Sequence, residues 1–225
     1  MNIFISGVSK GIGNALLHYF LNLEHINKVF AVSTNKNFEV SHPKLNLIVA
    51  DFTQENFINN IVSFVKDEAI HVLIHNSGFL KQLPFNQISP EIYSKTMDIN
   101  FKAPFFLTQA LLPNLVLGKA HIINIGSMGG FQGSSKFSGL SIYSASKAAL
   151  ANLTECLATE LAQHHIKVNC FALGAVNTEM LKEAFPNYIA PVQPDQIAKI
   201  IGDFALNWSN CISGQIIPLT ISNPA

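Results

Sequence analysis

Residues 2–13 read NIFISGVSKGIG and decide the fold, because they place an apolar run directly before a glycine-rich turn. The run at 2–6 predicts a short strand, and apolar residues at helical spacing through Leu23 predict a following helix. A glycine turn that opens a helix lets backbone amides approach a phosphate group closely. Glycines also make ordinary tight turns, and the spacing Gly-x-x-x-Gly-x-Gly differs from the dinucleotide fingerprint Gly-x-Gly-x-x-Gly. The motif alone therefore leaves both interpretations open.

The composition indicates a well-buried globular protein. Of the 225 residues, 48% are hydrophobic and only 12% are charged, so we expect a single domain over 1–225. The formal net charge is zero, which argues against a nucleic-acid-binding surface. The sequence contains no arginine, so lysine must supply every cationic side-chain contact.

Cysteines, histidines and the N-terminus give only negative predictions. The odd number of cysteines and their apolar neighbours predict reduced core thiols at Cys156, Cys170 and Cys211. The eight histidines form no spaced ligand set, so we expect no metal site. The N-terminus has no basic region, and no apolar run reaches the length of a membrane span, so we expect a cytoplasmic protein.

Strand patterns alternate with helix patterns along the whole chain. After the first strand, the predicted strands are 28–34, 45–51, 71–75, 121–125, 167–173 and 214–219. The clearest helices are predicted at 90–117, 143–165 and 195–207. This alternation predicts an α/β fold with a mostly parallel seven-stranded sheet, right-handed crossovers and helices on both faces.

Polar residues at the ends of the second and third strands suggest a nucleotide preference. Ser33 and Thr34 stand where an acid would bind the adenosine ribose of NAD, and Lys10 lies in the glycine turn. This arrangement favours NADP, although Lys10 is equally compatible with an exposed surface lysine. Asp51 follows the third strand and is expected to contact adenine or to cap the next helix.

Candidate chemistry comes from four residues between positions 100 and 147. Tyr143 and Lys147 are one helical turn apart, so they share a helix face. A nearby ammonium lowers the pKa of a phenol and makes it a usable general acid. Ser127 follows the fifth strand, at the sheet edge where α/β folds bind ligands. Asn100 either makes a structural hydrogen bond to a neighbouring strand or supports a water or lysine near the site.

In this order, the motifs resemble the short-chain dehydrogenase/reductase family in its single-domain form. Residues 6–13 resemble that family's Thr-Gly-x-x-x-Gly-x-Gly turn, with serine in place of threonine. Residues 75–78, HNSG, resemble its Asn-Asn-Ala-Gly turn, and the four candidate residues resemble its catalytic tetrad. The resemblance covers nearly the whole chain and implies a doubly wound, Rossmann-type fold, NADP or NAD as cofactor, and a homodimer or homotetramer.

The resemblance also implies a reaction, the reduction of a carbonyl compound to an alcohol or the reverse. Tyr143 would protonate the carbonyl oxygen while the cofactor delivers hydride, and Ser127 would hydrogen-bond that oxygen. Lys147 would hold the nicotinamide ribose and lower the pKa of Tyr143, and Asn100 would position a water. The implied cofactor contacts, besides Tyr143 and Lys147, are Gly7, Ser9, Lys10, Gly11, Ile12, Gly13, Ser33, Thr34, Asp51, Phe52, Asn76, Ser77, Gly78, Gly174, Val176 and Thr178.

Two questions stay open at the level of sequence. The fold would also suit a nucleotide-binding regulatory or signalling protein whose redox activity is incidental. Five apolar residues are equally compatible with a substrate pocket and with the core, namely Phe79, Phe131, Phe137, Leu181 and Phe185. The segment between Thr178 and Pro194 is short, which predicts a small lid and an open site.

Overall fold

The computed structural model of the protein describes residues 1–36 and 38–221, and these build one seven-stranded sheet. The strands are β1 (Asn2–Ser6), β2 (Lys28–Ser33), β3 (Leu45–Val49), β4 (Val72–His75), β5 (His121–Ile125), β6 (Lys167–Leu173) and β7 (Ile216–Leu219). Their order in the sheet is β3-β2-β1-β4-β5-β6-β7, and every neighbouring pair is parallel. The predicted doubly wound α/β fold is confirmed.

Helices connect the strands and cover both faces of the sheet. They are α1 (Gly11–Leu21), α2 (Phe57–Val65), α3 (Pro90–Met97), α4 (Ala103–Ala110), α5 (Leu112–Gly118), α6 (Ser141–Glu160), α7 (Glu179–Ala184) and α8 (Pro194–Asn207). Side chains alternate along each strand, so β1 sends Ile3 and Ile5 to one hydrophobic core and Phe4 to the other. Strands buried on both faces explain why these runs are almost continuously apolar.

The prediction of one long helix over 90–117 is wrong. A π-helical turn, Asp98–Lys102, separates α3 from α4, and the chain turns again at Leu111 before α5. Pro104 and Pro113 lie near the starts of α4 and α5, where their missing N–H groups are tolerated. The π turn holds Asn100, which is fully buried, and such turns often occur at functional sites.

The prediction of three core thiols holds for Cys170 and is wrong for Cys156 and Cys211. Cys170 is buried in β6, whereas Cys156 lies on the outer side of α6 and Cys211 lies in a turn after α8, both exposed. The apolar neighbours of Cys156 in the sequence belong to the opposite face of the same helix. Within residues 1–36 and 38–221, no helix has both the length and the apolar character that a membrane crossing requires.

Candidate active site

A cleft of about 520 Å³ opens at the carboxyl ends of the strands. It lies over β1 and β4, where the strand order reverses direction and doubly wound sheets bind their ligands. The predicted site residues all line this cleft except Gly13 and Asn100, which lie beneath its surface. The chain therefore brings residues from positions 7 to 178 to one crevice.

The glycine turn forms the part of the cleft wall closest to β1. Gly7 and Gly11 have φ of +74° and +58°, a left-handed conformation that favours glycine. A Cβ added at Gly13 would overlap the Gly7 carbonyl oxygen and the Asn76 side-chain nitrogen. The helix α1 begins at Gly11, so its free amides face the cleft. A side-chain-free turn at a helix N-terminus fits the pyrophosphate of a dinucleotide.

The turn after β4 is locked to the glycine turn by hydrogen bonds. The Ser6 hydroxyl accepts from the backbone N–H groups of Asn76 and Ser77, both at 3.1 Å. The Asn76 side chain donates to the carbonyl oxygens of Ser6, at 3.1 Å, and Gly7, at 2.8 Å. These bonds fix the relative position of the two turns, so the floor of the cleft is built before any ligand binds.

At the end of the cleft next to β2 and β3, hydroxyl groups lie where β2 ends and a carboxylate follows β3. The Ser33 and Ser9 hydroxyls are 2.8 Å apart, and the Asn35 N–H donates to Ser33 at 2.9 Å. Asp51 accepts from the backbone N–H and the hydroxyl of Thr53, at 2.9 and 2.8 Å. This carboxylate therefore stabilises the turn after β3 rather than the N-terminus of α2, which begins at Phe57.

Ser127, Tyr143 and Lys147 meet at the other end of the cleft. Ser127 caps a short 3-10 turn, Met128–Gly130, and its hydroxyl accepts from the Gly129 N–H at 3.1 Å. The Tyr143 phenol lines the same part of the cleft, close enough for the Ser127 hydroxyl to affect its pKa. Lys147 lies one turn further along α6, is 3% exposed, and donates to the Ile125 carbonyl oxygen at 2.8 Å.

Asn100 holds the first turn of α6 in place. Its side-chain NH₂ donates to the Phe79 carbonyl oxygen and to the Ser146 hydroxyl, both at 2.9 Å, and its oxygen accepts from the Phe79 N–H at 2.7 Å. Ser146 in turn donates to the Tyr143 carbonyl oxygen at 2.7 Å. The structural partner of Asn100 is therefore the segment after β4 together with α6. The sequence interpretation missed Ser146, although it lies inside the Tyr-x-x-x-Lys motif.

Comparison with known proteins agrees with this geometry. Residues 1–189 match the family model described as short chain dehydrogenase. The chain belongs to the short chain dehydrogenase family. It is 27% identical over 234 residues to gluconate 5-dehydrogenase of Gluconobacter oxydans (strain 621H), covering 95% of this chain and 90% of the relative.

Solved structures give the same result. A short chain dehydrogenase family protein from Francisella tularensis subsp. tularensis SCHU S4 superposes with a TM-score of 0.87 at 26% identity, covering 97% and 96% of the two chains. A 4-hydroxyisoleucine dehydrogenase in complex with NADH superposes with a TM-score of 0.84 at 26% identity and the same coverage. Membership of this family makes the protein an oxidoreductase that uses a nicotinamide cofactor.

In this short chain dehydrogenase, burial dominates the ionisation of both proposed catalytic groups. Burial raises the pKa of the Tyr143 phenol, and the hydrogen bond from Ser127 opposes the shift only in part. Burial lowers the pKa of Lys147 to about 8, with neighbouring Cys170 acting in the opposite direction. The direction for Tyr143 is opposite to the one expected from Lys147, because desolvation disfavours the phenolate. Tyr143 is therefore protonated at neutral pH and can donate a proton.

A row of buried polar side chains underlies Lys147. His75, Asn124 and Cys170 are register partners on β4, β5 and β6. Burial and the Lys147 charge lower the pKa of His75 to about 3, and burial raises the pKa of Cys170 to about 11. Both groups are neutral near pH 7, so the floor below Lys147 carries no charge. The sequence interpretation missed this row, because it depends on strand register.

The apolar residues that the sequence left undecided separate into two groups. Phe137, Leu181 and Phe185 line the cleft, whereas Phe79 and Phe131 do not. The cleft also includes apolar residues that sequence reasoning missed, among them Leu80, Met128, Leu140 and Met180. No regular spacing in the sequence connects these residues, because they come from three separate segments of the chain.

Proposed function

We propose that residues 1–225 form one dinucleotide-binding and catalytic domain that reduces a carbonyl compound to an alcohol, or catalyses the reverse reaction, with NADP preferred over NAD. The carrying observation is that Ser127, Tyr143 and Lys147 line one cleft, with Ser127 close enough to Tyr143 to affect its pKa and Lys147 one helical turn from Tyr143. The relatives named above are dehydrogenases, which favours turnover over the alternative of a regulatory protein. Their names refer to different substrates and support the reaction type alone.

The residues divide the chemistry between them. The bound cofactor supplies the hydride for the carbonyl carbon and is oxidised. Tyr143 gives its proton to the carbonyl oxygen as the C=O double bond becomes a C–O single bond. Ser127 accepts from the Gly129 N–H, which leaves its own proton available for that oxygen. Lys147 binds the nicotinamide ribose, and Asn100 positions the turn that carries Tyr143 and supports a water at Lys147.

The replacement Tyr143→Phe tests this proposal. It removes the transferable proton and keeps the ring, so we expect kcat to fall about 1,000-fold, in the range found for general acid catalysis. The dissociation constant of the cofactor should stay within about twofold by the same reasoning, because the phenol contributes little to ground-state binding. Tyr93→Phe, a change on an exposed face of α3, is the matched control. Unchanged turnover in the Tyr143 variant contradicts the proposal.

The preference for NADP rests on charge at the adenosine end of the cleft. Ser33 and Thr34 place no carboxylate beside the site of a 2′-phosphate, and Lys10 lines the same cleft. In this structure the Lys10 ammonium lies 3.9 Å from the Glu183 carboxylate, and both side chains are largely exposed. We expect NADPH to bind more tightly than NADH in a fluorescence titration. Equal dissociation constants contradict the preference.

Self-association as a homodimer or homotetramer is part of the same proposal. Helices α4 and α5 leave Phe105, Phe106 and Leu117 exposed to 37%, 39% and 64%. The rings of Phe105 and Phe106 touch at a centroid distance of 5.1 Å, so they form a contiguous apolar surface. A symmetry mate would remove this surface from water. A monomer in sedimentation at micromolar concentration contradicts this part.

A further inference from the structure

The part of the cleft beyond Ser127 and Tyr143 has an apolar lining. Within the part of the chain that the structure describes, the lining side chains of residues 128–142 and 180–185 are all apolar. They are Met128, Phe137, Leu140, Met180, Leu181 and Phe185. We refer to these six residues as the apolar wall.

The charged side chains that line the cleft belong to residues outside the apolar wall. Lys10 and Asp51 belong to the cofactor end, and Glu179 lies beside the glycine turn, with its carboxylate 3.9 Å from a Cβ position on Gly11. The Lys95 ammonium lies over the ring of Phe79, 4.6 Å from its centroid. The hydrogen-bonding side chains at the reacting end of the cleft are those of Ser127, Tyr143 and Lys147, and the side chains of the apolar wall add none.

The apolar wall is closed at one end by two rings from different loops. Phe137 and Phe185 meet edge to face, with ring centroids 5.9 Å apart. Phe137 belongs to the segment between Ser127 and α6, and Phe185 ends α7. The segments 128–142 and 178–194 therefore touch each other at the cleft through these two rings.

Hydrogen bonds hold the loop of Phe137 in place. The Gln82 side chain donates to the Ser138 carbonyl oxygen at 3.2 Å, and the Leu83 N–H donates to the Gly139 carbonyl oxygen at 3.0 Å. Gly139 has φ of +83°, and a Cβ there would lie 2.7 Å from the Gln82 side chain. These hydrogen bonds therefore fix the loop that carries Phe137, and with it the contact between the two rings.

We propose that the substrate is a ketone or aldehyde with an apolar substituent, which packs against the apolar wall and ends at Phe137 and Phe185. This inference rests on the proposed carbonyl reduction at the same site. An alkyl or aryl group gains free energy when it leaves water for this wall. A polyhydroxylated substituent loses water there without new partners, because the lining side chains neither donate nor accept hydrogen bonds. The wall therefore selects against sugars and sugar acids.

The first experiment compares two sets of carbonyl compounds with the wild-type protein and NADPH or NADH. The apolar set is 2-butanone, 2-hexanone and 2-octanone, and the hydroxylated set is dihydroxyacetone and fructose. We expect kcat/KM to rise along the apolar set and to exceed that of fructose by at least about tenfold, in line with the known discrimination of apolar pockets. Tyr143→Phe must abolish turnover in both sets.

The outcomes separate the inference from the proposed function. Tyr143-dependent turnover that favours the hydroxylated set overturns the apolar substrate class and leaves carbonyl reduction standing. Absence of Tyr143-dependent turnover with every probe and both cofactors overturns the proposed function and, with it, this inference.

The second experiment tests the ring pair. Phe137→Ala and Phe185→Ala should each lower kcat/KM for 2-octanone by about tenfold, with a smaller effect on 2-butanone, whose shorter alkyl chain has less apolar surface to lose contact with the rings. Phe131→Ala, in the same loop and outside the cleft lining, is the matched control. Cofactor dissociation constants should not change in any of the three. An equal loss with 2-octanone and 2-butanone indicates a merely structural pair and overturns its assignment as the end of the substrate pocket.

Discussion

The two ends of the cleft are built by different means. At the cofactor end, the wall is largely backbone, with the turns after β1 and β4 held together by Ser6 and Asn76. At the substrate end, the wall consists of side chains from separate loops, and two of them, Phe137 and Phe185, meet across the cleft. Backbone geometry follows local sequence rules, whereas a contact between loops depends on the whole fold. The cofactor end can therefore be recognised from a sequence motif, whereas no motif marks the substrate end.

Among the changes that compare the two ends of the cleft, the largest effect is expected from Gly13→Ala. The added methyl group would overlap the Gly7 carbonyl oxygen and the Asn76 side chain, so the two turns must separate. We expect cofactor affinity to fall about 100-fold, since a displacement of about 1 Å has effects of that size in active sites. Titration with NADPH and NADH measures the loss.

The control for Gly13→Ala is the same substitution at Gly133, in the loop at the substrate end. A Cβ at Gly133 meets nothing within 4 Å, and its φ of +78° adds only backbone strain, of roughly 1–2 kcal/mol. Its cofactor affinity should remain at the wild-type level. Equal losses of cofactor affinity in the two variants would contradict the distinction between the cofactor end, which is built from backbone, and the substrate end, which is built from loop side chains.

The next largest effect concerns His75, in the polar row beneath Lys147. His75 is buried, its pKa is lowered to about 3, and its ring nitrogen lies 2.8 Å from the Thr108 hydroxyl. Because the folded pKa lies below the unfolded value near 6.5, unfolding binds a proton as the pH falls below about 6.5. As the pH falls from 7 to 5, the free energy of unfolding should therefore decrease by about 2 kcal/mol, because His75 stays neutral in the folded state and takes up a proton in the unfolded state.

The variant His75→Gln isolates this contribution, because glutamine is neutral at both pH values and can still hydrogen-bond Thr108. Urea unfolding at pH 7 and pH 5 should show a pH-dependent loss that is smaller in the variant by about 2 kcal/mol. Identical pH dependence in the two proteins would mean that His75 takes up a proton in the folded state.

A third prediction concerns Lys147, which lies at the same end of the cleft as Ser127 and Tyr143 and is proposed to bind the cofactor. Its pKa is lowered to about 8 by burial, so the ammonium is present below that pH and is lost above it. If the ammonium binds the cofactor ribose, kcat/KM for NADPH should fall about tenfold between pH 7 and pH 9, since this parameter reports ionisations of the free enzyme. The raised pKa of Tyr143 keeps its proton in place as Lys147 titrates. A flat profile contradicts this role, provided that unfolding measurements show a stable protein at pH 9.

The smallest effect is expected at the exposed edge of the cofactor end. Lys10→Ala should weaken NADPH binding about fivefold and leave NADH binding unchanged, because an exposed charge pair contributes about 1 kcal/mol at most. Glu183→Gln removes the carboxylate beside Lys10 and should slightly tighten NADPH binding. Lys182→Ala, on the same helix as Glu183, is the control for the loss of a lysine. Equal effects on NADPH and NADH would contradict a contact with the 2′-phosphate.

Much of the fold and of the catalytic group could be predicted from local patterns. The strands 2–6, 121–125 and 167–173 agree with the structure residue for residue, because each is an apolar run bounded by polar or glycine residues. The π-helical turn at Asp98–Lys102 could not be predicted, since the apolar pattern continues through it. The direction of the Tyr143 pKa shift also could not, because it depends on burial rather than on the spacing to Lys147.

The sequence by itself determined the glycine turn, the alternation of strands and helices, and the spacing of Tyr143 and Lys147, since each depends on contacts within a few residues. Only the tertiary structure decided that Ser127 lies near Tyr143, that Asn100 acts through Ser146, and which aromatic residues line the cleft. These contacts join residues that are 16 to 48 positions apart (127 to 143, 100 to 146 and 137 to 185). Such distances along the chain are closed by the sheet and its helices, and no local propensity encodes them.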